Sequence, residues 1–302
     1  MVNSKAFVIV VMIAVALVIG SLWTLSGGSA GTPGAASASE PLSPLVSGPE
    51  PLSPSVVDPN GGAFTSQDHL PLMVRWSNWR PEFGPAYVYA READLRGMLT
   101  LDGPVKKMVM VTSYDELSRL MRFADDLKAS GVTTVGFNTE NGLTPGNEMQ
   151  TLNSGDPEEN IVARAARLAT DQGFDVVWGP IRQTTDEISD RAVLSMMEAG
   201  VSGLAIQEQK FIENQPADAR LTAVNRTRER YLALADRAGL NDFSFHVQIM
   251  QQRCPNLDNC VQFVEGLEKI PVDSIAIWSN GPIPVDFVNA IRMQSTTSLP
   301  AS

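Results

Sequence analysis

Between residues 106 and 292 one phrase recurs along the chain. A short run of β-branched and aromatic residues is followed by a polar loop, then by a segment with apolar positions every three to four residues. The apolar runs occupy 108–111, 133–137, 174–178, 203–206, 243–247 and 273–278. Such alternation predicts βαβ units, because a parallel neighbour is reached only by a crossover long enough to hold a helix. The helical segments carry their own punctuation. One opens at Asp115, sets Leu117, Leu120, Met121, Ala124 and Leu127 on one face, and stops at Gly131. Others are expected over 158–173, 190–200, 223–239, 257–270 and 285–292, several of them closed by glycine.

Six units are evident, and eight close a barrel. The segment 73–101 can supply more, with 86–90 as a strand and 90–99 as a helix. The expected fold class is therefore α/β: a TIM-type (β/α) barrel over residues 64–302, distorted or incomplete if only the evident units form. An open doubly wound sheet is the competing architecture. It usually announces a nucleotide site with a glycine-rich turn, and no G-x-G-x-x-G or Walker-type sequence follows any run here.

Alternation within each strand assigns side chains to the two faces, the uniformly apolar one packing on the outer helices. Phe243, Phe245, Val247 and Ile249 then point outward, leaving Ser244, His246 and Gln248 inside. By the same parity Gln207 and Gln209 face inward beyond Leu204 and Ile206, Asn138 and Glu140 beyond Val135 and Phe137, and Trp278 beyond Ile275 and Ile277. Trp178 ends a strand of ambiguous parity and joins the candidates. The expected rim is thus Asn138, Glu140, Gln207, Gln209, Gln248, Trp278 and Trp178, with His246 a layer deeper. Amides that both donate and accept, together with aromatic platforms, suit a polyhydroxylated ligand such as a carbohydrate.

The ends of the chain change the picture of where it works. Residues 6–25 are almost continuously apolar, long enough to cross a membrane, with Lys5 before them. This predicts export, either behind a retained signal anchor or after cleavage near Gly28-Ser29-Ala30. Residues 26–63, rich in proline, glycine and serine, read as a disordered tether. The net charge of −11 disfavours nucleic acid as a partner, since phosphate binding needs clustered Lys and Arg. Cys254 and Cys260 are expected to form a disulfide; a metal pair is the alternative, but the sequence offers only His69 and His246 as further soft ligands. No metal or cofactor is expected.

Glycosidic hydrolysis normally uses two carboxylates, one as acid and one as nucleophile or base. Glu140 is the best placed, and Glu208 is its tentative partner although its parity points outward. Over 105–292 the chain resembles exported β/α-barrel proteins of the glycoside-hydrolase type, through Gly136-Phe137-Asn138-Thr139-Glu140, Trp178-Gly179-Pro180 and Ile206-Gln207-Glu208-Gln209. The resemblance implies a carbohydrate-active barrel at the cell surface, either a hydrolase or a non-catalytic binding or scaffolding barrel. The commonest such enzymes carry an Asn-Glu pair after strand four and a Glu on strand seven. On a six-strand count the fourth strand ends Gln-Glu-Gln and no seventh is evident.

Overall fold

Short apolar runs become the staves of a closed ring in the computed structural model, which describes residues 70–208, 216–254 and 257–293. The strands are β1 (Leu72–Arg75), β2 (Ala86–Ala90), β3 (Val105–Val111), β4 (Val132–Thr139), β5 (Asp175–Pro180), β6 (Val201–Gln207), β7 (Ser244–Met250) and β8 (Ser274–Trp278). Each pairs in parallel with its sequence neighbours, and β8 pairs with β1 to shut the barrel. The ring is therefore complete. Its two additional strands precede the six evident in the sequence: β2 is the expected 86–90 run, whereas β1 is only four residues long and follows a proline at position 71.

The helices lie where the apolar periodicity places them, with shifted ends. The segment 114–131 forms α1 (Tyr114–Leu120), a 3-10 turn, and α2 (Ala124–Ala129), and the expected apolar face is buried throughout. The next crossover is shorter than expected at its start, because Asn160 caps α3 (Ile161–Thr170) by accepting from the amides of Val162 and Ala163 at 3.0 and 3.1 Å. After β5 come α4 (Arg182–Glu187) and α5 (Asp190–Glu198). The helix expected over 223–239 begins earlier, as α6 (Ala217–Arg237), with Pro216 at its N-cap and Asp218 in its first turn. Then follow α7 (Leu257–Glu268) and α8 (Val285–Met293). The helix expected over 90–99 is a 3-10 turn leading into a short helix, Leu95–Leu99.

Two apolar clusters hold this architecture. The larger lies between sheet and helices and takes the outward strand residues, among them Phe137, Leu204, Phe245, Val247 and Ile277, all essentially inaccessible. The smaller fills the barrel interior with Met73, Met108 and Ala276, backed by Tyr87, Tyr89 and Met110. Gly136 makes the interior possible: a Cβ there would meet Met110 and Met108 sulfurs at 2.8 and 2.9 Å. Below the mouth, His246 is fully enclosed. Its Nδ1 lies 2.8 Å from Ser274 Oγ and its Nε2 3.1 Å from Ser244 Oγ, so both ring nitrogens have hydroxyl partners.

Cys254 and Cys260 are disulfide-bonded, joining the turn after β7 to α7. The expected membrane segment 6–25, the tether 26–63 and Gln209 lie outside the described residues. Among the described residues no helix is long and apolar enough to cross a membrane.

Candidate functional site

The carboxyl-terminal end of β4 supplies the centre of the barrel mouth. Asn138 is the last inward residue of the strand, and Glu140 follows at the same parity just beyond it. Asn138 Nδ2 donates to Glu140 Oε1 at 2.6 Å. Gln207, at the end of β6, donates from Nε2 to that same oxygen at 2.8 Å and approaches Asn138 Oδ1 at 3.3 Å. The loop behind is pinned by buried Thr144, whose hydroxyl accepts from Glu140 N at 3.1 Å and donates to Asn138 O at 3.2 Å. Among the described residues none donates to Glu140 Oε2.

Between β4 and β6 the intervening strand presents Gly179, which leaves room for the Asn138 amide. Gly179 is register partner to Asn138, and a Cβ on it would sit 3.0 Å from Asn138 Oδ1. No sequence signal marked this glycine as part of the site. Gln248 stands beside Gln207 in register, half-buried on the inner face. Trp278 completes the rim at the end of β8, with 37% of its surface exposed. Tyr89, inward on β2, was also missed, although the alternation of 86–90 would have placed it once that strand was followed. Burial pushes its hydroxyl up to about 12; the negative charge of Glu140 adds to the rise, and Arg75 and Arg91 oppose it.

Two expected rim residues are elsewhere. Trp178 takes the outward parity of β5 and is 1% exposed in the large core, with its Nε1 donating to Thr139 Oγ1 at 3.0 Å and its ring against Tyr231. It cannot serve as a stacking platform at the mouth, because helices cover it. Glu208 is equally displaced. Its chain neighbour Gln207 faces the interior, while Glu208 points through the outer side of the wall to Arg182, whose Nη1 donates to Oε1 at 2.5 Å. Burial raises the Glu208 carboxyl to about 7 despite the opposing attraction of Arg182. The structure brings Asn138, Glu140 and Gln207 into one hydrogen-bonded cluster, with Gln248 and Trp278 on the same mouth. His246 lies deeper, where burial holds its imidazole down to about 4.

The two N-terminal strands also renumber the ring. The strand ending in Asn138-Thr139-Glu140 is the fourth, and the strand carrying Gln248 is the seventh. The glycoside-hydrolase pattern is not reproduced: an Asn and a Glu close strand four but with one residue between them, and strand seven presents an amide, not a carboxylate, to the interior. Among the described residues no group of three or more His, Cys, Asp or Glu side chains is gathered to hold a metal ion.

Fold and mouth together define the class, a closed eight-stranded (β/α) barrel with a polar, amide-rich opening. No protein-family model and no curated protein sequence matches the chain. Solved structures with a similar trace include CitE from Mycobacterium tuberculosis in complex with magnesium and acetate, 12% identical over 77% of this chain and 93% of that one, TM-score 0.43. A chitinase from Chromobacterium violaceum is 9% identical over 76% of this chain and 100% of its own, TM-score 0.47. A glycoside hydrolase family 17 β-1,3-glucanosyltransferase from Rhizomucor miehei is 11% identical over 67% and 77%, TM-score 0.43. At this distance they carry nothing about the chemistry of the mouth.

Proposed function

We propose that the protein is an exported carbohydrate-binding barrel, held at the cell surface by residues 6–25 or released from it, that captures its ligand at the mouth without cleaving it. One observation carries the reading. Glu140 is clamped through a single oxygen by the amides of Asn138 and Gln207, which leaves Oε2 without a described donor, beside a rim that exposes Trp278. A fixed acceptor with flanking amides suits sugar hydroxyls, and an exposed indole suits the apolar face of a pyranose.

Hydrolysis by paired carboxylates is the weaker reading. Its mechanism needs a second carboxylate facing Glu140 across the sugar. Glu208 is turned to the opposite side of the wall, and Gln248 occupies the inward position of strand seven. An amide there can hold a hydroxyl but cannot act as nucleophile or base.

The test is a glycan array run with wild type, Glu140→Gln and Trp278→Ala, beside a hydrolysis screen on the glycans that bind. Binding is expected for wild type, at least tenfold weaker for Trp278→Ala, with no sugar released by any of the three. Turnover abolished by Glu140→Gln would replace capture with hydrolysis. Failure of wild type to retain any glycan would end the carbohydrate reading.

A further inference from the structure

Across the ring from β6, the rim of the mouth carries positive charge. β1 ends at Arg75 and β2 runs into Arg91, and both residues keep an extended backbone, with φ −63°, ψ 141° and φ −84°, ψ 166°. Alternation therefore carries each side chain to the inner face, Arg75 at the parity of Met73 and Arg91 at that of Tyr87 and Tyr89. Arg75 is register partner to Tyr89, and since Val74 pairs with Ile277, Trp278 follows at the level of Arg75. Trp278, Arg75 and Tyr89 thus stand side by side on neighbouring strands, with Arg91 one inward step above Tyr89. Asp94 accepts from Nη2 of Arg75. Arg91 is half-buried, and among the described residues no hydrogen bond or ion pair engages its side chain. The Tyr89 hydroxyl feels the positive charge of both arginines and the negative charge of Glu140, so the three charges act on one volume.

We propose that the ligand held at this mouth is an acidic sugar, whose oxyanion, a uronate carboxylate or a sulfate ester, is met by Arg91 and Arg75 while its ring lies on Trp278. This rests on the carbohydrate reading of the mouth and narrows it. A guanidinium offers paired planar donors that match either oxyanion, in charge-assisted bonds stronger than those to a neutral hydroxyl. Asp94 offsets part of the charge of Arg75 and orients it, so less side-chain freedom is lost on binding, and Arg91 is the principal anchor. The chain as a whole carries −11, so an anion is retained only where cations are gathered locally. Glu140 sets the direction of the ligand. It follows β4, with β3 between it and β2, and a sugar turned end for end would bring its oxyanion against that carboxylate. One orientation pairs opposite charges and the other opposes like charges.

The test adds matched pairs to the glycan array, at constant ionic strength and with the full chain. Oligogalacturonate and hyaluronan fragments are set beside the same glycans after carboxyl reduction, which turns each uronate into a neutral hexose, and dextran sulfate is set beside dextran. Wild type is expected to retain the charged member of at least one pair about tenfold better than its neutral partner, and the responding pair tells carboxylate from sulfate. Arg91→Gln is expected to lose that preference. Arg226→Gln, which removes the same charge from the exposed surface of α6, is expected to keep it. Equal retention within every pair, a preference undiminished in Arg91→Gln, or an equal loss in Arg226→Gln would overturn the inference. If neutral glycans are retained and charged ones are not, the inference fails alone; if no glycan of either kind is retained, the carbohydrate reading fails with it.

Discussion

Gln207 and Glu208 are adjacent in the chain, yet their side chains serve opposite sides of the barrel wall. Gln207 donates inward to Glu140 at 2.8 Å, and Glu208 accepts outward from Arg182 at 2.5 Å. Strand parity alone enforces the separation. It divides the chemistry at the end of β6 into an amide that belongs to the mouth and a carboxylate that belongs to the packing around α4 and α6.

Glu208→Ala is expected to destabilise the fold by about 1–3 kcal/mol, since it removes the buried acceptor of Arg182 Nη1 while Asp186 still accepts from its Nε. Replacing both partners, as Arg182→Met with Glu208→Leu, is expected to cost far less. Urea unfolding of the two variants measures this. Equal losses would show that the pair is not the source of the effect.

The two tryptophans should separate stability from binding. Trp178→Ala removes a buried core side chain and its hydrogen bond to Thr139, at a cost of about 3–5 kcal/mol. Trp278→Ala is expected to leave unfolding nearly unchanged and to weaken glycan retention. Circular dichroism melts paired with the array decide it. Loss of retention by a still-folded Trp178→Ala would return that residue to the site.

The pH dependence of stability has two opposing parts. Glu208 titrates near 7 in the folded state, above its ordinary 4.5, so its stabilising protonated form is present at low pH and its contribution is lost as pH rises through this window. His246 titrates near 4, below its ordinary 6.5, so stability is retained above 6.5 and lost as pH falls towards 4. Each amounts to about 3 kcal/mol across its range. Between pH 4.5 and 6.5 the two slopes offset each other. Glu208→Gln should therefore tilt the curve of unfolding free energy upward with pH relative to wild type, and His246→Gln should tilt it downward. Chemical unfolding at pH 5, 6 and 7 is the measurement, and parallel curves for both variants would contradict the assignment.

The Cys254–Cys260 disulfide closes only a short loop, with a sequence separation of 6, so its loss is expected to cost about 2 kcal/mol on the loop-entropy scale. Unfolding of Cys254→Ser/Cys260→Ser in urea checks it. A loss well above that figure would mean that the bond also positions α7.

Much of this architecture was legible because strand and helix periods differ. The parity of Phe245, Val247 and Ile249 against His246 and Gln248 reads directly from the chain, and the same reasoning brought Asn138, Glu140 and Gln207 together. β1 escaped because four residues after Pro71 carry too little pattern to separate a strand from a loop. That omission also misnumbered the ring. Trp178 was misplaced because a tryptophan at a strand end satisfies two descriptions, rim platform and core filler, and only the covering helices choose between them. Gly179 enters the sequence reading only within Trp178-Gly179-Pro180, since its contribution is the space it leaves beside Asn138 Oδ1.

Closure by β1 against β8 has a further consequence, for the order in which the barrel is made. β1 leaves the ribosome before any other strand, yet one of its edges has no partner until Ser274–Trp278 has followed. The seam spans three register pairs, Leu72 with Ile275, Met73 with Ala276 and Val74 with Ile277, as few as at the β5–β6 junction and the farthest apart in the chain. Every stave between them can settle against its predecessor as it appears. The first waits for the last, and until they meet the nascent sheet has two open sides.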